Sequence, residues 1–258
     1  MRKLDLSAEL DNITSFIRSY VHGNGFANVI LGLSGGIDSS LSAALAVRAL
    51  GKEHVYGIML PYKNSSPESY NDALLMAEQL GIHHEKIDIT PMVDAYFDTY
   101  QTQADSLRRG NWMARTRMCV LYDLSAGYRA LVIGTSNRTE LMVGYFTQFG
   151  DGACAFEPIG HLYKTEVWEL SRLLGIPDKI INKVPTADLW ADQTDEAELG
   201  LKYHQLDEIL YALTDAKLTT SEIMALGFTQ EQINRVVHLI SRSEFKRNLP
   251  PLINDQDK

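Results

Sequence analysis

Two kinds of hydrophobic pattern alternate along the first half of the chain. Leu6, Leu10, Ile13, Ile17 and Val21 recur at helical spacing, so an amphipathic helix is predicted over 6–21, stopped by Gly23 and Gly25. A short, fully apolar run follows at 29–32, as expected of a parallel strand buried on both faces. The Ala- and Leu-rich stretch 41–50 reads as a helix closed by Gly51. The same order then repeats. A strand is predicted over 54–60, ended by Pro61, and a helix over 65–80, before Gly81. A third strand over 82–89 leads to a helix opened by Thr90 and Pro91. A helix over 111–128 and an apolar strand over 130–134 complete the regular part. This β-α alternation predicts an α/β fold, a three-layer open parallel sheet with helices on both faces.

Beyond Gly134 the pattern becomes irregular. Residues 145–158 are too polar and Gly-rich for an element interior and read as a functional loop. A helix over 161–174 ends at Gly175 and Pro177, and a second long loop, 184–200, holds Pro185, Asp188, Asp192 and Asp195. Residues 201–243 are helical, with breaks near Thr214 and Gly227, and the polar, Pro-containing tail 248–258 reads as frayed. With no repeat, low-complexity tract or linker, one domain over 1–258 is expected, its helical C-terminal part lying at 196–245.

Composition narrows the classes. Of 258 residues, 45% are hydrophobic and 22% charged, as in an ordinary globular protein. No uncharged apolar run approaches the roughly 18 residues of a membrane span. The first dozen residues carry acids and lack an apolar stretch, so they do not read as a secretory signal. Cys119 and Cys154 have neither metal nor redox spacing and read as two free, buried thiols in a reducing cytoplasm. A net charge of −9 disfavours nucleic acid as a partner, and an anionic ligand would have to meet locally concentrated Lys and Arg.

The candidate chemistry centres on 32–39, where Gly32, Leu33, Ser34, Gly35, Gly36, Ile37, Asp38 and Ser39 join the first strand to its helix. A Gly-rich turn at a helix N-terminus aims backbone N–H groups at one point, which suits a phosphate. The loop is neither a Walker A motif nor a dinucleotide fingerprint. Asp38 repels a phosphate unless a Mg²⁺ lies between them. The bland alternative is a Gly-containing turn with Asp38 or Ser39 as an ordinary N-cap.

The hexapeptide Ser34-Gly35-Gly36-Ile37-Asp38-Ser39 resembles the pyrophosphate loop of the N-type ATP pyrophosphatases, which split ATP between its α and β phosphates. Further segments resemble ammonia-dependent NAD synthetase: Ala-Arg-Thr-Arg-Met at 114–118, Gly-Thr-Ser-Asn-Arg-Thr-Glu at 134–140, the 144–152 stretch, Pro-Thr-Ala-Asp-Leu at 185–189, Asp-Glu-Ala-Glu-Leu-Gly at 195–200, and Lys246-Arg247. The resemblance covers about residues 28 to 250. It implies ATP-dependent amidation of deamido-NAD with ammonia, giving NAD, AMP and pyrophosphate through an adenylated carboxylate.

Carried over by position, it implies that 32–39 binds ATP together with Thr135, Lys164 and Thr186. Asp38 and Glu140 are implied as the Mg²⁺ ligands, and Arg115 and Lys246 as deamido-NAD contacts. Read without the family, Arg115 is a solvated helix charge, Glu140 a surface acid, Lys164 a first-turn lysine reaching water and Thr186 a turn residue. The sequence departs from the family at Gln148, where the family often has a lysine, and at Ala155, where it often has an aspartate. Gln148 is retained as a substrate contact. Asp151 is a candidate acceptor for the proton of attacking ammonia. The resemblance also implies a homodimer with the dinucleotide near its interface, and the loops 145–158 and 184–200 are the expected lids. A separate glutaminase is not indicated. Other readings are a GMP synthetase-type or tRNA-modifying pyrophosphatase, or a module that binds ATP without turnover.

Overall fold

The computed structural model describes residues 2–190 and 193–253. Strands β1 (Asn28–Gly32), β2 (Val55–Met59), β3 (His83–Lys86) and β4 (Ala130–Val132) form a parallel sheet in the order β3-β2-β1-β4. Side chains in a strand point alternately to its two faces. Val29 and Leu31 of β1 therefore join one cluster with Val55 and Met59 of β2, while Ile30 joins the opposite cluster with Ile58 and Val132. Helices α1 (Leu6–Gly23), α2 (Ile37–Leu50) and α3 (Pro67–Leu80) cover the first face. Helices α4 (Thr90–Tyr100) and α5 (Ser106–Tyr128) cover the second. The expected three-layer sheet is thus present. Strand β3 is its exposed edge, and its charged sequence, His-His-Glu-Lys, is of the kind that discourages pairing with another chain. It is shorter than the predicted 82–89, although Ile87 N and Ile89 N still donate to the Met59 and Pro61 carbonyls.

The order of the strands places the site. The chain runs outward from β1 through β2 to β3, then returns to the other side of β1 as β4. The segments that follow β1 and β4 therefore meet side by side at the carboxyl edge of the sheet, in the crevice where open α/β sheets bind ligands. The Gly-rich loop follows β1, and Gly134 and Thr135 follow β4.

The irregular second half contains more structure than its pattern announced. Helix α6 (Arg138–Val143) begins with a capping box between Asn137 and Glu140. Helix α7 (Lys164–Leu173) is shorter than the predicted 161–174, and α8 (Asp178–Ile181) follows Pro177. Within 145–158, Phe156 pairs with Ile133 and prolongs the sheet. Within 184–200, α9 (Asp195–Leu199) is helical, and Asp192 lies outside the described residues. Helices α10 (Tyr203–Thr214), α11 (Thr220–Ala225) and α12 (Gln230–Arg242) match the expected breaks, and α10 and α12 pack on α6 and α7 around Tyr163, Leu206 and Val236. Of the predicted frayed tail, 248–253 is exposed and carries no helix or strand, and 254–258 lies outside the described residues. The thiols are free but not buried. Cys119 is exposed on the polar side of α5, and Cys154 is half-buried.

Candidate active site

The Gly-rich loop holds itself together with serine hydroxyls. Ser34 Oγ lies 3.0 Å from Ser39 Oγ and accepts from Gly36 N, and Ser39 and Ser40 donate to the Gly36 carbonyl. Gly36 is the N-cap of α2, and no side chain among the described residues caps this helix start. The first N–H groups of α2 are therefore left to a ligand, and they sit at the positive end of the helix dipole. Gly35 has φ +75°, and a Cβ there would stand 2.0 Å from the Ser69 carbonyl oxygen of α3. The loop is thus pressed against the first turn of α3.

Asp38, Glu140 and Lys164 come from three helices and meet in one cluster. Lys164, 2% exposed at the start of α7, ion-pairs with Asp38 and lies 3.4 Å from Glu140 Oε1. Asn137 joins the two acids: its Nδ2 donates to Asp38 at 2.9 Å, its N–H to Glu140, and its Oδ1 accepts from Glu140 N. Burial, and after it the nearby Asp38 charge, pushes the Glu140 carboxyl up to about 8. Burial works against the Lys164 charge, but Asp38 and Glu140 outweigh it and hold the ammonium above its ordinary pKa. Asp195 adds a third acid, its oxygens taken by the hydroxyls of Tyr145 and Tyr203 at 3.0 and 2.9 Å. One lysine faces three carboxylates, so the cluster has room for further positive charge. Carboxylate oxygens suit a hard cation, and Asp38 and Glu140 fit Mg²⁺ as a pair that would be completed by ligand oxygens. Among the described residues no larger group of metal-type side chains exists.

Asp207 sets this geometry from behind. It is fully buried on α10, accepts from Thr139 Oγ1 at 2.5 Å and from Thr165 N at 2.8 Å, and burial pushes it up to about 6. Thr139 Oγ1 in turn accepts from Lys164 N. Asp207 therefore clamps the residue before Glu140 to the residue after Lys164. Asp207→Ala leaves a hydroxyl and an N–H without an acceptor and is expected to cost about 2–4 kcal/mol in urea unfolding. A loss below about 1 kcal/mol would show that the clamp is dispensable.

The crevice is a cavity of ≈ 610 Å³. Gly32, Leu33, Ser34, Gly36, Ile37, Asp38 and Ser39 line it, as do Thr135, Glu140, Lys164 and Thr186. Gly35 does not, because it faces α3. Thr186 also accepts from Asp188 N at 3.1 Å, so its turn role and its cavity position coexist. Asp151 and Lys246 also line the cavity. Asp151 is open to solvent and accepts from Thr147 N at 2.9 Å. Lys246 donates to the carbonyls of Gly144 and Phe146, both at 2.7 Å, and Arg247 holds carbonyls at the ends of α6 and α12. Arg115 and Gln148 are not in the cavity lining. Arg115, exposed on α5, donates to the Gln148 carbonyl at 3.3 Å, beside Ala114 and Thr147, which do line it. Ala155 lies apart, in a second cleft of ≈ 570 Å³ with Phe26, Tyr122 and Arg129.

Asn137, Arg117, Asp195, Asp207 and Glu157 were not among the site residues expected from the sequence. Asn137 was marked by its spacing to Glu140, a capping-box signature. Asp207 was marked as an acid on the apolar face formed by Leu206, Ile209 and Leu210. Arg117 lines the cavity and donates to the Leu60 carbonyl at 3.0 Å. Glu157 backs the floor of the crevice: it accepts from Ser136 N at 3.0 Å, and its carboxyl fills the space over Gly134. Burial pushes Glu157 from 4.5 up to about 7. A raised folded-state pKa contributes stability that is full below about pH 4.5 and fades as pH rises to about 7. Glu157→Gln is expected to flatten that decline by about 2–3 kcal/mol. Thermal melts of both proteins from pH 4 to 8 check it, and parallel curves would refute it.

The open parallel sheet is that of the N-type ATP pyrophosphatase fold, and the solved structures that match share this fold. The NAD synthase family model matches residues 9–250. The chain belongs to the NAD synthase family. It is 51% identical over 252 residues to the NH(3)-dependent NAD(+) synthetase of Fusobacterium nucleatum, covering 97% of each chain. The NMN synthetase of Francisella tularensis superposes with a TM-score of 0.88 at 33% identity, over 98% of this chain and 100% of that one. The NH3-dependent NAD synthetase of Campylobacter jejuni does so with a TM-score of 0.83, also at 33% identity and with the same coverage. No described helix is long and apolar enough to cross a membrane.

Proposed function

We propose that this chain amidates the nicotinate carboxylate of deamido-NAD with ammonia, consuming ATP and releasing NAD, AMP and pyrophosphate. The observation that carries this reading is the convergence of the uncapped α2 start with Lys164, Asp38 and Glu140 in one cavity. A carboxylate is a poor acyl donor because it is anionic and has a bad leaving group. Its oxygen attacks the α-phosphorus of ATP, and the bond to pyrophosphate breaks. Ammonia then attacks the acyl carbon, and AMP leaves with the electron pair of the C–O bond. The amide nitrogen loses its proton to Asp151 or to solvent.

In this reading the loop 32–39 and the α2 N–H groups hold the phosphates, with Thr135 and Thr186 as further ATP contacts. Lys164 offsets charge as it moves onto pyrophosphate. Mg²⁺, held by Asp38 and Glu140, would neutralise phosphate oxygens and draw electrons from phosphorus. Arg115, Gln148 and Lys246 serve the dinucleotide. We further read residues 1–258 as one domain that works as a homodimer in the cytoplasm, and a solution mass near 28.9 kDa at micromolar concentration would count against the dimer.

The test is incubation with ATP, Mg²⁺ and deamido-NAD plus either ammonium or glutamine, with NAD read by a coupled dehydrogenase. NAD formation with ammonium and none with glutamine is expected. Absence of NAD and of acid-dependent pyrophosphate release would overturn the reading. A second reading, amidation of nicotinate mononucleotide, is favoured by the close superposition on an NMN synthetase. Comparing kcat/KM for the two acids decides between them.

A further inference from the structure

Lys183 stands at the root of the 184–190 segment, just after α8, and lines the same cavity as Ser34, Gly36 and Thr186. Its ammonium donates to Ser69 Oγ and to Asp72 Oδ2, each at 3.1 Å. Both partners lie on α3, and Ser69 is the residue whose carbonyl is pressed against Gly35. The ammonium is therefore held next to the wall of the Gly-rich loop.

Asp72 carries a second lysine. Lys179 reaches its other oxygen at 2.6 Å, from a side chain 54% exposed, against 18% for Lys183. Asp72 itself is 1% exposed, so losing all its cations would leave a buried charge unpaired. With two lysines it does not face that loss when one departs. The pair also leaves one positive charge in excess of the carboxylate. Of the two, Lys183 is the one facing the cavity.

We propose that Lys183 is a ligand of the outer phosphates of ATP. Its ammonium leaves Asp72 for the β and γ phosphates, which become the pyrophosphate leaving group, while Lys179 keeps Asp72 paired. This inference rests on the ATP-cleaving activity proposed above. It adds a phosphate contact on the segment that bears Thr186, so phosphate binding and the position of that segment are linked. Asp188 already ties the segment to Ser66 N at 3.0 Å, and Leu189 and Trp190 seat against Gly110 of α5.

Calorimetric titration of pyrophosphate, ATP and AMP into the wild type, K183M, K183R and K179M tests it. K183M is expected to weaken pyrophosphate and ATP binding at least ~10-fold, the scale of one charge-assisted hydrogen bond, and to leave AMP unchanged. K183R is expected to recover part of the loss, and K179M to stay within about twofold of wild type on that scale. Melting temperatures of all four proteins report folding, and K183R carries the test if K183M fails to fold. Wild-type pyrophosphate affinity in K183M, an equal loss in K179M, or an equal loss for AMP would each overturn the proposal. If the wild type releases no pyrophosphate from ATP with any nicotinate acid, the activity reading fails. If it does and K183M binds pyrophosphate equally well, this inference alone fails.

Discussion

Asp38→Ala is expected to lower pyrophosphate release by about 10²–10³-fold or more, the scale of removing one preorganised electrostatic group, while the protein still folds. Both halves of this expectation follow from the cluster. Asp38 is bonded to Lys164 and to Asn137, and it is the acid that follows the Gly-rich turn most closely. Without it Lys164 keeps Glu140, 3.4 Å away. Removing Asp38 also removes a charge that opposes Glu140 ionisation, so Glu140 ionises more readily and pairs the ammonium. Turnover should therefore fall much further than stability. Pyrophosphate release at saturating ATP, measured beside a thermal melt, checks both. Near-full release in Asp38→Ala would remove the metal-ligand assignment, and an unfolded protein would show that Glu140 cannot substitute.

Gly35→Ala is expected to be severely damaging, and Gly36→Ala mild. The two glycines are adjacent and look equivalent in the sequence. Gly35 has φ +75°, which an L side chain rarely adopts, and its Cβ would meet a backbone carbonyl oxygen at 2.0 Å. Either the loop or α3 must move. Gly36 has φ −90°, and its Cβ would meet the Ser34 hydroxyl at 3.3 Å, which a rotamer change relieves. Strain and overpacking together set the Gly35→Ala cost at about 2–5 kcal/mol. Loss of ATP binding should accompany it, because the loop can no longer rest against α3. Calorimetric melting of the two variants is the measurement, and a Gly35→Ala protein that melts with the wild type would contradict this packing.

The regular half of the fold was legible because each element there has an unbroken period. Residues 6–21 and 29–32 show one helical stripe and one doubly buried strand, and nothing competes with either reading. The second half was less legible for a physical reason. Helices α6, α8 and α9 have six, four and five residues. That is too short for a helical stripe to repeat, so they depend on caps and on the surfaces beneath them. The site divided in the same way. Asp38 and the loop were legible because a Gly-rich turn after a strand has few other uses. Asp207 was not, since its partners Thr139 and Thr165 lie 68 and 42 residues away. Lys246 was placed as a substrate contact, and the structure shows that two of its three donors hold the backbone at Gly144 and Phe146.

What the sequence determined by itself is the list of elements in the regular half, the layered α/β class, and a phosphate-type loop carrying an acid. These follow from local rules: side-chain period, caps and backbone conformational preference. Only the tertiary structure decided that β4 returns beside β1, which opens the crevice where the loop, Thr135 and Lys164 meet. It also decided which of two adjacent glycines is indispensable, and that one lysine lies among three acids. These are long-range outcomes of packing. The charge of Glu140 depends on Asp38, 102 positions earlier in the chain, and no local pattern encodes that distance.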